Sequence, residues 1–150
     1  MYGFLNSPTQ DGWQGLIPLH STKEDAEKIL GAPKREGIAY FYETEKEKVT
    51  ISYSRGQCAE NKSSKWNVTK GTIISIMVVP KEPLFASTFV KDLQQFERGK
   101  VPHMEGAFYY RKKDNSISFE TRVLPDNEER ITDILYSPSE KESKLRCTCD

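Results

Sequence analysis

Short apolar stripes alternate along this chain with charged turns, and the spacing inside the stripes switches between helical and strand-like. The first stripe, Ala26, Ile29 and Leu30, recurs at i, i+3 and i+4 and predicts a helix with one narrow apolar face. Ser21 stands three residues before Glu24, as in a capping box, and Gly31 followed by Pro33 stops the helix. A helix of about two and a half turns does not hold in water by itself, so this face must lie on something. Trp13, Leu16, Ile17 and Leu19, just upstream, are expected to pack beside it.

The runs that follow supply a sheet. Residues 38–43 form an aromatic strand, and a charged turn leads into residues 49–54, where Val49, Ile51 and Tyr53 alternate onto one buried face. A long polar excursion with Cys58 and Trp66 separates these from residues 72–80, β-branched enough to form a central strand. The second half repeats the order. Ser87 and Thr88 offer helix caps, Phe89, Val90, Leu93 and Phe96 follow at helical spacing, and Gly99 is the stop. Strands are then expected at 107–111, 117–123 and 131–136.

The fold class is therefore α+β, an antiparallel sheet of about six strands with two short helices on one face. One domain spans 13–137, with repeat units 13–80 and 84–137, and residues 1–12 and 138–150 are terminal extensions. Tyr40-Phe41-Tyr42 maps onto Phe108-Tyr109-Tyr110 and Val49 onto Ile117 at an offset of 68, the helix caps match at 66, and the third strands at about 58. The shorter last offset is what an insertion bearing Cys58 and Trp66 in the first copy produces, and a tandem duplication is the simplest account.

Charge narrows the function. The 22 basic and 22 acidic residues are interspersed, which leaves no electrostatic footprint for nucleic acid or an anionic membrane. No apolar run approaches a transmembrane span. The first residues lack a basic segment followed by an apolar one, so the chain is read as cytosolic or as starting after a removed export signal. Three cysteines bear on that choice. Cys58 lies in a polar loop, and Cys147 and Cys149 lie in a polar tail. Exposed thiols are seldom left unpaired, so a bridge from Cys58 to Cys147 or Cys149 is expected, and with it an extracytoplasmic home.

The capped helix Ser21 to Pro33, with an antiparallel meander after it, resembles the repeat unit of the BLIP-like and SmpA/OmlA (outer-membrane assembly lipoprotein) superfamily. The two-copy form is similar to the secreted β-lactamase inhibitor proteins. That resemblance implies helices on one face of an antiparallel sheet, export, and action by binding proteins rather than by catalysis.

Candidate chemistry is sparse. His20 precedes a helix cap and His103 lies in a loop, and neither has metal or triad spacing. Cys147-x-Cys149 is too short for the usual zinc spacing, and neither a metal nor a cofactor is expected. Glu43, Glu45, Glu47, Asp126, Glu128 and Glu129 fall in turn-like, solvated stretches that lack the desolvation general acid or base work requires. Asn61-Lys62-Ser63 and Asn67-Val68-Thr69 match the N-glycosylation pattern and mark an exposed loop. What remains is binding. On the first strand of each half, Phe41 and Tyr109 have the parity opposite to their tyrosine neighbours and, with Trp66, are the candidate contact residues for a protein partner. The alternative is a small-molecule or catalytic cup with its aromatics lining a pocket between sheet and helices.

Overall fold

Pairing between β-branched and aromatic runs produces seven strands in the computed structural model, which describes residues 12–148. In chain order these are α1 (Lys23–Leu30), β1 (Tyr40–Glu43), β2 (Glu47–Tyr53), β3 (Ile73–Pro80), α2 (Ala86–Phe89), β4 (Phe96–Lys100), β5 (Ala107–Lys112), β6 (Ile117–Val123) and β7 (Glu129–Tyr136). They form one antiparallel sheet in the order β1-β2-β3-β7-β6-β5-β4. Two meanders thus meet at their third strands, with Met77 paired to Leu135 at the junction. Among the described residues no helix is long and apolar enough to cross a membrane.

The alternation expected of the strands is met. Val49, Ile51, Ile76, Val78, Phe119, Ile134 and Tyr136 are buried on one face, under Trp13, Leu16, α1 and α2. Tyr42 and Tyr110 are buried with them, and Tyr40 and Phe108 lie in ladders at the margin of the same core.

Helix α1 starts one residue later than expected. Thr22 is its cap: its hydroxyl accepts from the Asp25 N–H at 3.3 Å, and the Asp25 carboxylate accepts from the Thr22 N–H at 2.8 Å. The cause is tertiary. Residues 21 and 22 are held extended against the start of β3 by the Thr22–Thr72 bridge and by Ile73 N–H donating to Ser21 C=O at 2.8 Å. Ser21 Oγ instead accepts from the Ile17 N–H at 2.8 Å. The buried stripe is also narrower. Ala26 is fully covered and Leu30 packs on the core, while Ile29, about 60° round the helix from Ala26, is 45% exposed.

The second helix is the larger correction. Only Ala86–Phe89 is α-helical, a 3-10 turn covers Leu93–Gln95, and Phe96 and Gly99 belong to β4, the strand missing from the expected six. Phe89 and Phe96 still reach one target, with ring centroids 5.5 and 5.6 Å from that of Phe119. The helical spacing thus reports a shared core contact made by two different elements. Leu93, expected in the apolar stripe, is 42% exposed.

Residues 138–148 fold back against the long polar loop of the first meander. A 3-10 turn at Glu140–Leu145 brings Arg146 back to bridge Trp66, and Cys147 is disulfide-bonded to Cys58 with Cα atoms 5.6 Å apart. Cys149 lies outside the described residues. In the chain-entropy view, closing 89 residues contributes about 4.5 kcal/mol.

The meanders match in detail. The ladder β2–β3 shifts register between Ser52 and Tyr53, and β6–β7 shifts between Glu120 and Thr121, 68 positions on. The residue before each helix bridges to the start of the third strand, Thr22 to Thr72 just ahead of β3 and Phe85 to Arg130, the second residue of β7. The first strands correspond two residues away from the register expected above, since Tyr40 pairs with Ile51 as Tyr110 pairs with Phe119.

Candidate functional site

Both helices cover the same side of the sheet, so the other side is open, and the pleat decides which residues it carries. One transverse row across it reads Phe41, Thr50, Met77, Leu135, Ser118, Arg111 and Glu97, each paired with the next. Met77 and Val79 are more than a third exposed there. Three adjoining depressions of about 590, 390 and 360 Å³ cross this face. Trp66 and Ile74 line the first two in common, and Arg111 and Ser118 are shared by the second and third. Together they make one shallow groove.

Local structure places its side chains. Tyr109 is the cross-strand partner of Gly99, and a Cβ at residue 99 would come within 2.4 Å of the Tyr109 ring. The bare glycine therefore lets the tyrosine lie down over β4. Arg111, two residues along β5 and so on the same face, has its guanidinium carbon 5.5 Å from the Tyr109 centroid. Trp66 is held by the tail: Asn67 N–H donates to Leu145 C=O at 2.6 Å and Cys147 N–H to Lys65 C=O at 2.8 Å. The Arg146 guanidinium carbon then lies 5.2 Å from the Trp66 ring centroid.

Trp66 and Tyr109 therefore both line the groove, at opposite ends of it. Phe41 does not join them. It is on the same face but at the far edge, with the Arg35 guanidinium 4.4 Å over its ring. Met77, Leu135, Arg111 and Arg146 were not singled out from the sequence. Arg111 was legible as the same-parity neighbour of Tyr109, whereas Arg146 became legible only once its neighbour Cys147 had a partner.

Charge is uneven along the groove. Asp133 and Glu120 line the Tyr109 end, and burial pushes the Asp133 carboxyl up, against the hydroxyl of Thr132 donating at 3.3 Å. Arg55 and Lys65 line the Trp66 end.

The remaining candidates are taken up elsewhere. His20 Nε2 is 2.6 Å from Glu142 Oε1, and His103 is exposed in the β4–β5 connection. Glu43 is ion-paired with Lys81. Glu43 closes β1, and two more carboxylates expected in solvated turns also lie in strands. Glu47 in β2 is pushed up by burial, and Glu129 in β7 accepts from the Tyr110 hydroxyl at 2.8 Å and from Thr121 at 2.9 Å, with Arg98 at 3.2 Å. That network ties β4, β5, β6 and β7 together. Aromatic rings under the helices pack on one another, Tyr110 stacking on Phe119 at 4.7 Å. Among the described residues no three His, Cys, Asp or Glu side chains are grouped to hold a metal ion.

The fold defines the chain as an α+β protein with a single seven-stranded antiparallel sheet covered on one face. A crystal structure of a DUF4309 family protein, YjgB, from Bacillus subtilis is similar to it, with a TM-score of 0.50 and 16% identity, covering 91% of this chain and 90% of that one. At that identity the likeness concerns the fold. No family model matches the chain, and no curated protein matches it.

Proposed function

We propose that this chain is an exported, non-catalytic binding domain built from two helix-plus-meander units, like those of the β-lactamase inhibitor proteins and the SmpA/OmlA lipoproteins, and that its open sheet face docks a protein partner. The carrying observation is the groove itself: Trp66, Ile74, Met77, Leu135 and Tyr109 lie along a rigid sheet on the side that neither helix covers. Aromatic and apolar side chains fixed on a sheet lose little entropy on contact, which is what an anchor needs. A disulfide between loop and tail supports an oxidising home.

Duplication is supported by three features that need not have coincided: the register shifts at Ser52 and Glu120, the bridges from the residue before each helix to the start of each third strand, and the pairing of Met77 with Leu135. The last joins two residues that the offset of 58 would make equivalent, as a local two-fold between repeats would.

The test uses the oxidised chain as bait against envelope and secreted fractions of the source organism, beside Trp66→Ala and Tyr109→Ala. Support is a partner held by the parent and lost from both variants while their thermal unfolding stays unchanged. Partners retained equally by both folded variants would overturn the docking face.

A further inference from the structure

The middle of the groove carries chemistry that general stickiness does not require. Arg111 arrives from the end of β5 and Arg146 from the tail, and both line the depression of about 390 Å³. Ser75, Ser118 and Ser137 line it as well, and no carboxylate does. Among the described residues neither arginine forms an ion pair. Each instead lies against an aromatic ring, Tyr109 or Trp66. Glu140, the nearby acid, lines a separate depression that Arg146 also borders, and accepts from Asn115 Nδ2 at 2.8 Å. Guanidinium groups steadied on ring faces keep their forked donors free for a planar oxyanion. The covalent anchor of the tail holds one of them in place beside its disulfide.

We propose that this depression is an oxyanion subsite, and that it takes a side-chain carboxylate of an extended acidic peptide whose apolar residues two positions to either side, on the same face of the peptide, lie on Met77, Leu135 and Ile74. The proposal rests on the docking face put forward above and names the chemistry of its partner. Charge complementarity sets the direction. Acidic groups go toward the Trp66 end, with Arg55 and Lys65, and away from Asp133 and Glu120 at the Tyr109 end. A free phosphate offers the same oxygens without the apolar flanks.

The measurement is a titration at physiological salt, following the Nε–Hε resonances of Arg111 and Arg146 and the backbone amides of β3, β5, β6 and β7. The probes are the peptide acetyl-Leu-Ser-Glu-Ser-Leu-amide, whose leucines and glutamate share one face when extended, its Gln-for-Glu twin and inorganic phosphate. Expected is saturable binding of the acidic peptide that shifts both arginine signals, and about tenfold weaker binding of the Gln twin, as the loss of one charge-assisted pair implies. Arg111→Gln and Arg146→Gln should each weaken the acidic peptide by about tenfold with melting unchanged, and Arg111→Lys should not restore it. Equal binding of both peptides to open-face amides would overturn the subsite and leave the docking face standing. No open-face shift with either peptide would overturn both. Phosphate shifting both arginines while the acidic peptide does not would also overturn the peptide proposal.

Discussion

The two meanders share a strand frame but are closed by different means. In the second, between the α2 turn and β7, the core is aromatic: Phe89, Phe96 and Tyr110 surround Phe119, and a full edge strand, β4, shields β5. In the first the strands contribute mainly aliphatic side chains, Val49, Ile51 and Ile76, with Tyr42 and Trp13 beside them, and the edge shrinks to one bridge, Arg35 to Phe41. Its second and third strands are joined by residues 54–72, where the other meander uses a tight turn with Leu124 N–H donating to Glu128 C=O at 2.8 Å. The first meander compensates covalently, since Cys58–Cys147 fastens that long connection to the tail. The difference teaches that one frame tolerates either dense packing or a staple, and that the stapled half is the one able to carry an elaborated loop, with Trp66, onto the open face.

The largest expected effect comes from removing the staple. Cys58→Ser with Cys147→Ser should lower unfolding stability by about 4.5 kcal/mol in chemical denaturation. Hydrogen exchange should rise in 55–71 and 140–148 while β5 and β6 stay protected. Uniform loss of protection across both meanders would break the distinction. Next is the centre of the packed half. Phe119→Ala removes the ring on which three others close and should cost about 3–5 kcal/mol. Its exchange signature should be the mirror image, with β4 and β5 loosened first and the stapled loop last.

How much of this was readable beforehand follows the same division. Strands whose partners are close in sequence were legible, because alternation such as Val49, Ile51, Tyr53 depends only on one face being buried. The Cys58 bridge was legible from polarity and count, though not which tail cysteine completes it. What failed was a matter of context. Phe89, Val90, Leu93 and Phe96 fit a helical period, yet the β5 edge was free to pair, and the backbone hydrogen bonds gained there converted Phe96–Lys100 into a strand. Ser21 loses the cap to Thr22 because residues 21 and 22 are tied to β3, a contact 50 residues away that no local pattern contains. In the groove, Trp66 and Tyr109 were found by parity and loop position. Phe41 shares that parity but not their neighbourhood, since strand order across the sheet puts it at the opposite edge.

A middle-sized effect should separate the edges. Gly99→Ala forces a methyl into the Tyr109 ring and should cost about 1–3 kcal/mol while displacing that ring from the groove. The corresponding first-meander edge has no such glycine under an aromatic, so Arg35→Ala should stay within about 0.5 kcal/mol. Thermal melts of the two variants, with nuclear Overhauser contacts from Tyr109 to residue 99, decide it. A neutral Gly99→Ala would mean the tyrosine is not seated there.

The smallest effect distinguishes the helices. Helix α1 has a side-chain cap and α2, preceded by Phe85, has none. Asp25 is held below its ordinary value of 3.8, first by the Thr22 backbone N–H and then by the Thr22 hydroxyl. A carboxyl whose pKa is lower folded than unfolded stabilises the fold above the unfolded value and loses that contribution as pH falls through the folded one. Acidification from pH 6 to below 3.8 should therefore loosen 26–30 selectively, with Ala86–Phe89 unaffected by this route. Thr22→Ala should cost about 1 kcal/mol at neutral pH and reduce the acid-dependent component, since residue 22 keeps its N–H, whereas Asp25→Asn should abolish it. Amide exchange measured across that pH range in the parent, Thr22→Ala and Asp25→Asn tests it: equal acid sensitivity of both helices, or of α1 in all three proteins, would mean that the cap does not set the difference between the two halves.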